Sequence, residues 1–144
     1  MINQCSEIKA IRKYLGLEIK EAAAIVKYTI RSWQYWEKGE KIAPGNVILL
    51  LDCLCVFVRN MVEIAESETH KSIPYFLEYA DFCEQFPNPT LYKWQIWQRI
   101  LGLIRINGHC EELTNTGKID NNSKLFIEFN QYFKNNHTYN HINS

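Results

Sequence analysis

Arg31, Gln34 and Tyr35 are the residues of this sequence whose types and spacing point to definite chemistry. At i, i+3 and i+4 they share one face of a helix. A guanidinium offers paired donors to the edge of guanine, and a carboxamide offers a donor and an acceptor to adenine. Each such bidentate pair is worth about 1–3 kcal/mol of discrimination, and a phenol can touch a thymine methyl or donate to a phosphate. The other side of the same segment carries Ile30, Trp33 and Trp36, an apolar stripe that would anchor the helix from behind. A merely solvated helix face can hold the same polar residues, so the surrounding pattern has to separate the two readings.

Other chemistries find little to work with. There is no phosphate-cradling Gly-rich loop, no metal-ligand cluster and no nucleophile beside a histidine, so neither an enzyme nor a cofactor is expected. The five cysteines (Cys5, Cys53, Cys55, Cys83 and Cys110) include no CxxC pair, and they read as reduced, mostly buried thiols. His70, His109, His137 and His141 lie in or near loop segments without ligand spacing and read as exposed. Formal net charge is zero, yet residues 1–45 carry eight Lys/Arg against five Asp/Glu and the remainder eight against eleven. A basic N-terminal end suits phosphate. No signal-peptide pattern opens the chain, and the apolar run 47–58 is too short to span a bilayer, so a cytoplasmic protein without membrane contact is expected.

The elements that must position Arg31, Gln34 and Tyr35 are short helices. The spacing of Ile8, Ile11 and Leu15 predicts a helix over 6–15, closed by Gly16; a second follows over 18–25 through Ala22-Ala23-Ala24. Thr29 caps a third over 30–38, which Gly39 ends. After Pro44-Gly45 a long apolar helix runs over 46–68. A short edge strand at 73–76, a helix over 77–86, an aromatic helix capped by Thr90 over 91–106, a loop over 111–124 and a last short helix over 125–133 complete the chain, with a frayed end from Asn135. An unpaired strand is a liability that a two-fold partner would relieve.

The stretch from Ile11 to Gly39 resembles the phage-repressor and Cro-like (XRE-type) helix-turn-helix family without a gap. The matching residues are Leu15-Gly16-Leu17, Glu21 with Ala23, Val26, Thr29, Ser32, and Glu37 with Gly39. More narrowly, Arg31-Ser32-Trp33-Gln34-Tyr35-Trp36-Glu37 looks like the YdiL-like group and the anti-CRISPR-associated autorepressors of phages, a likeness that extends to about residue 106. The resemblance implies base reading by Arg31, Gln34 and Tyr35, and phosphate contacts from Arg12, Thr29 and Lys38. It implies an ion pair between Arg12 and Glu37, and a dimer made through the C-terminal half. Two positions depart from the pattern. Lys27 stands where a turn glycine is common, and Ile19 replaces a phosphate-binding Gln, a contact that Lys20 could take over.

The expected fold is mainly α: a five-helix-like N-terminal bundle over 1–68, including the long connecting helix, a small α+β dimerisation region with one short strand over 69–108, and an Asn-rich extension over 109–144. Tyr75, Phe76, Tyr92, Trp94 and Trp97 are the candidate interface residues. The expected function is a homodimeric regulator of transcription on double-stranded DNA. Two alternatives stay open at this point: an antitoxin whose C-terminal half holds a toxin, and an RNA-binding regulator using the same basic face.

Overall fold

The computed structural model describes residues 4–68 and 70–135. Seven helices and two strands follow one another within them: α1 (Gln4–Tyr14), α2 (Ile19–Val26), α3 (Ile30–Lys38), α4 (Gly45–Glu66), β1 (His70–Pro74), α5 (Tyr79–Gln85), α6 (Leu91–Ile106), β2 (Cys110–Thr114) and α7 (Lys124–Asn135). The fold is mainly α with a small β region. The chain divides into two compact units, Met1–Val56 and Phe57–Ser144, with the break inside α4.

Unit 1 is a small helical bundle. Ile8, Leu15 and Leu17 from the α1 end, Ala22, Ala23 and Val26 from α2, Trp33 and Trp36 from α3, and Val47 and Leu51 from α4 form its interior. Three sharp endings define its shape. Gly16 and Gly39 hold φ of 72° and 77°, the left-handed region that an L side chain enters at a cost. Lys27 does the same without being glycine, at φ 62° and ψ 41°, and its N–H caps α2 on the carbonyls of Ala23 and Ala24. The helix-ending Gly39 also passes close to α1, where an added Cβ would lie 3.6 Å from Cys5 Sγ.

Unit 2 is built on an aromatic core. Phe86 lies at its centre, with ring centroids of Phe82 at 4.2 Å, Trp97 at 4.9 Å and Phe129 at 5.4 Å. Leu125 and Phe129 on α7 are buried in it, so helical spacing in this polar stretch does mark a packed element. The α6 face supplies Ile96, Ile100, Leu101 and Ile104.

The strands differ from expectation. β1 ends at Pro74 rather than beginning near it, and residues 110–114, expected to be loop, form β2. The two pair in parallel, with Ile73 opposite Leu113 and Pro74 opposite Thr114. Backbone bonds continue past the sheet, from Tyr75 N to the Thr114 carbonyl at 2.8 Å and from Leu77 N to that of Asn115 at 3.0 Å. The strand therefore finds its partner inside its own chain, across a connection through α5 and α6 long enough for a parallel pair. A second subunit is not needed to pair it.

The aromatics of α6 are also committed internally. Trp97 Nε1 donates to the Pro74 carbonyl at 2.9 Å, and Trp94 Nε1 to that of Phe76 at 2.7 Å. Phe76 and Trp97 are 1% and 0% exposed, which removes both from the surface a partner can reach. Tyr75, Tyr92 and Trp94 are half-buried. None of the five cysteines is in a disulfide, but only Cys110 is buried, and Cys53 is exposed on α4, correcting the expectation of mostly buried thiols. His109 approaches Glu66 at 3.5 Å; His137, His141 and the expected frayed end from 136 lie outside the described residues. No helix among the described residues is long and apolar enough to cross a membrane.

Candidate nucleic-acid interface

The polar face of α3 is held in place by local chemistry at both ends. Thr29 precedes the helix with extended backbone, and its Oγ1 accepts from Ser32 N at 3.0 Å, satisfying one of the donors that a helix start leaves open. At the far end Gly39 turns left-handed, and its N–H caps the carbonyls of Trp36 and Tyr35. The helix thus spans Ile30 to Lys38 and stops where its spacing indicates.

Behind the helix, Trp33 and Trp36 are buried, their ring centroids 5.5 Å apart, and Tyr28 meets Trp36 edge-on at 5.1 Å. Ile30, grouped with them by spacing, is instead 45% exposed. It sits in the first turn of α3, where the apolar stripe runs out toward the turn.

A charged clamp fixes the helix to α1. Arg12 Nε and Nη2 donate to the two carboxylate oxygens of Glu37 at 2.6 and 3.1 Å, and Nη1 donates to the Leu17 carbonyl at 2.9 Å. Trp33 Nε1 donates to the same Glu37 carboxylate. The pair is nearly enclosed, with side chains 12% and 9% exposed. Burial pushes the Glu37 carboxyl up, but the hydrogen bonds from Arg12 and Trp33 and the charges of Arg12 and Lys9 outweigh it and hold it below the usual carboxylate range. The hydrogen bond to Glu37 raises the Arg12 guanidinium further above its ordinary value. A second tie comes from Gln4: Ala43 N donates to its Oε1 at 2.8 Å, and its Nε2 donates to the Ala43 carbonyl at 3.4 Å.

On the outer face Arg31 and Gln34 are exposed, as are Thr29 at the N-cap and Lys38 at the end of the helix, while Lys20 lies on α2. Tyr35 is half-buried, with the Arg31 guanidinium carbon 5.9 Å from its ring centroid and Lys41 Nζ 4.7 Å from it. Arg31, Gln34 and Tyr35 therefore share one face of α3, with Lys38 one turn further along. Arg12 stands apart: most of its donors are spent on Glu37 and Leu17. Lys41 was not singled out by sequence, because it follows the helix and only the turn at Gly39 brings it back over Tyr35. Its place two residues after a left-handed glycine was the available signal. Among the described residues no group of three or more His, Cys, Asp or Glu lies where it could hold a metal ion.

The two short helices α2 and α3, joined by the left-handed turn at Lys27 and braced by α1 through Arg12, have the element order of a helix-turn-helix motif. Similarity to known proteins narrows the class. The profile of the Aca2/YdiL-like family matches residues 2–113. The chain is also 32% identical over 111 residues to the Aca2 repressor of Pectobacterium phage ZF40, covering 73% of this chain and 95% of that protein. This chain belongs to the Aca2/YdiL-like family.

Proposed function

We propose that this protein is a sequence-specific DNA-binding regulator of transcription, a dimeric repressor that occupies an inverted-repeat operator, its own promoter being the first candidate. The observation that carries the reading is the division of α3. Arg31 and Gln34 face solvent with Tyr35 beside them, while Trp33, Trp36 and the Arg12–Glu37 clamp hold the back of the helix still. A rigid helix with a hydrogen-bonding front suits the major groove, which is about 12 Å wide. The phage relative, a repressor by name, agrees in kind.

In this reading Arg31, Gln34 and Tyr35 read bases, while Thr29, Lys20 and Lys38 set the register on phosphates. Lys41 joins the phosphate set, since its ammonium stands over Tyr35 at the edge of the same face. Arg12 acts chiefly by holding Glu37 and reaches a phosphate only with its remaining N–H groups. The homodimer is carried by the family resemblance, and its two-fold symmetry would match an inverted repeat, with Tyr75, Tyr92 and Trp94 as its remaining candidate contacts. The protein would work in the cytoplasm and without a cofactor.

Selection of bound duplexes from a random pool tests this reading with no operator sequence chosen in advance. The expected product is a motif of two inverted half-sites with centres about 10 bp, or a multiple of that, apart. A pool that enriches no motif contradicts sequence-specific binding, and a single half-site contradicts the dimer.

A further inference from the structure

Unit 2 contains a cavity that the DNA reading does not use. It has a volume of about 410 Å³ and lies between α7, the start of α6 and the Pro87-Asn88 turn, within the roughly 300–1,000 Å³ range of small-molecule sites. Buried Phe86 and Phe129 contribute to its wall, and half-buried Phe126 and Phe133 continue it outward. The rings pack on one another, Phe86 to Phe126 at 5.1 Å and Phe129 to Phe133 at 4.9 Å, so the wall is preformed.

The charges around this apolar wall are of one sign. Lys93 and Lys134 line the cavity, and no Asp or Glu is among the described residues that do so. Lys93 Nζ donates to the Asn88 carbonyl at 2.8 Å and stands 5.5 Å from the Phe133 ring centroid. A carbonyl dipole and a ring face are weak company for a full positive charge. Burial correspondingly pushes the Lys93 ammonium below its ordinary pKa. A bound carboxylate would supply the missing counter-charge, and an apolar body beside it would cover the exposed parts of the rings.

We propose that this cavity binds a small amphiphilic carboxylate, one acid group on an aromatic or branched apolar body, with Lys93 pairing with the acid and Phe126 and Phe133 packing on the body. The site is independent of DNA binding and stands or falls separately from it.

The test uses the full chain and 4-phenylbutyrate as probe, followed by amide chemical shifts, with neutral 4-phenylbutanamide as its uncharged twin. Saturable shifts confined to the Pro87-Asn88 turn, the start of α6 and α7 are expected, with a dissociation constant of about 1 mM or tighter. The amide, and 4-phenylbutyrate on Lys93→Met, should bind at least about tenfold more weakly, with spectra of the variant unchanged away from the cavity. Phe126→Ala should weaken acid and amide alike. Absence of saturation up to about 10 mM, shifts centred elsewhere, or equal binding of acid and amide by the unaltered protein would overturn the proposal.

Discussion

Arg12 on α1 and Glu37 on α3, 25 residues apart, meet through two parallel hydrogen bonds of 2.6 and 3.1 Å. The contact ties the last turn of the exposed helix to the helix behind it, and Trp33 donates to the same carboxylate. Removing one member of a nearly enclosed pair leaves the other without its counter-charge. Arg12→Ala should therefore cost about 3 kcal/mol, lowering the thermal midpoint by about 10 °C in circular-dichroism melting. Arg12→Ala combined with Glu37→Ala should be less damaging than the sum of the two single changes.

The same carboxylate sets a pH dependence. Its folded pKa lies below the unfolded one: burial raises it, but the hydrogen bonds from Arg12 and Trp33 and the charges of Arg12 and Lys9 outweigh burial. The contribution is then whole above the unfolded value and is lost as pH falls through the folded value. Denaturant melts should show this part of the stability fading below about pH 4. Glu37→Gln should lack that component, and an unchanged acid limb in the variant would assign it to other groups.

Trp94 acts on the backbone of its own chain. Phe76 holds φ of 59°, a left-handed conformation costly for a bulky residue. Its carbonyl accepts from Trp94 Nε1 at 2.7 Å and from Gln98 Nε2 at 3.1 Å. Trp94→Phe keeps much of the ring and deletes the donor, so it should cost about 1 kcal/mol or more. The loss should appear at every protein concentration, whereas a Trp94 acting only between subunits would show it only where dimers form.

Lys27 occupies the left-handed turn between α2 and α3 at φ 62°. Lys27→Gly should raise stability by about 0.5–1 kcal/mol, the relief of the side-chain clash less the extra freedom of an unfolded glycine. Denaturant midpoints of Lys27→Gly and Lys27→Ala separate backbone relief from loss of charge.

The N-terminal helices were legible in the sequence because their signals are local. Thr29, Gly16 and Gly39 mark ends by capping and left-handed backbone, and Trp33 and Trp36 mark the buried side of α3 by spacing alone. The second strand was not legible. Cys110–Thr114 reads CEELT, with two adjacent acids and no clear alternation, and becomes a strand because β1 lies parallel beside it. On α6, Trp97 misled for a related reason. It suits an interface by composition, yet it is fully buried and its indole N–H serves the carbonyl of residue 74, as that of Trp94 serves residue 76, pairings that no periodicity encodes. Ile30 failed as an inward residue because a stripe drawn from spacing does not say where the neighbouring helix ends. At the candidate interface, residue types suggested Arg31, Gln34 and Tyr35, whereas the approach of Lys41 to Tyr35 required the turn at Gly39.

The most direct measurement is binding of the protein to a duplex from immediately upstream of its own gene, beside a scrambled duplex and across a range of salt, for the unaltered chain, Arg31→Ala and Lys38→Ala. The unaltered chain should prefer the upstream duplex. Arg31→Ala should lose that preference by about 1–3 kcal/mol, relaxing recognition at one base pair of each half-site. Lys38→Ala should weaken both duplexes and flatten the salt dependence by about one ion. Equal, weak and salt-sensitive binding of both duplexes by the unaltered chain, or an equal loss on both in Arg31→Ala, would contradict base reading by α3.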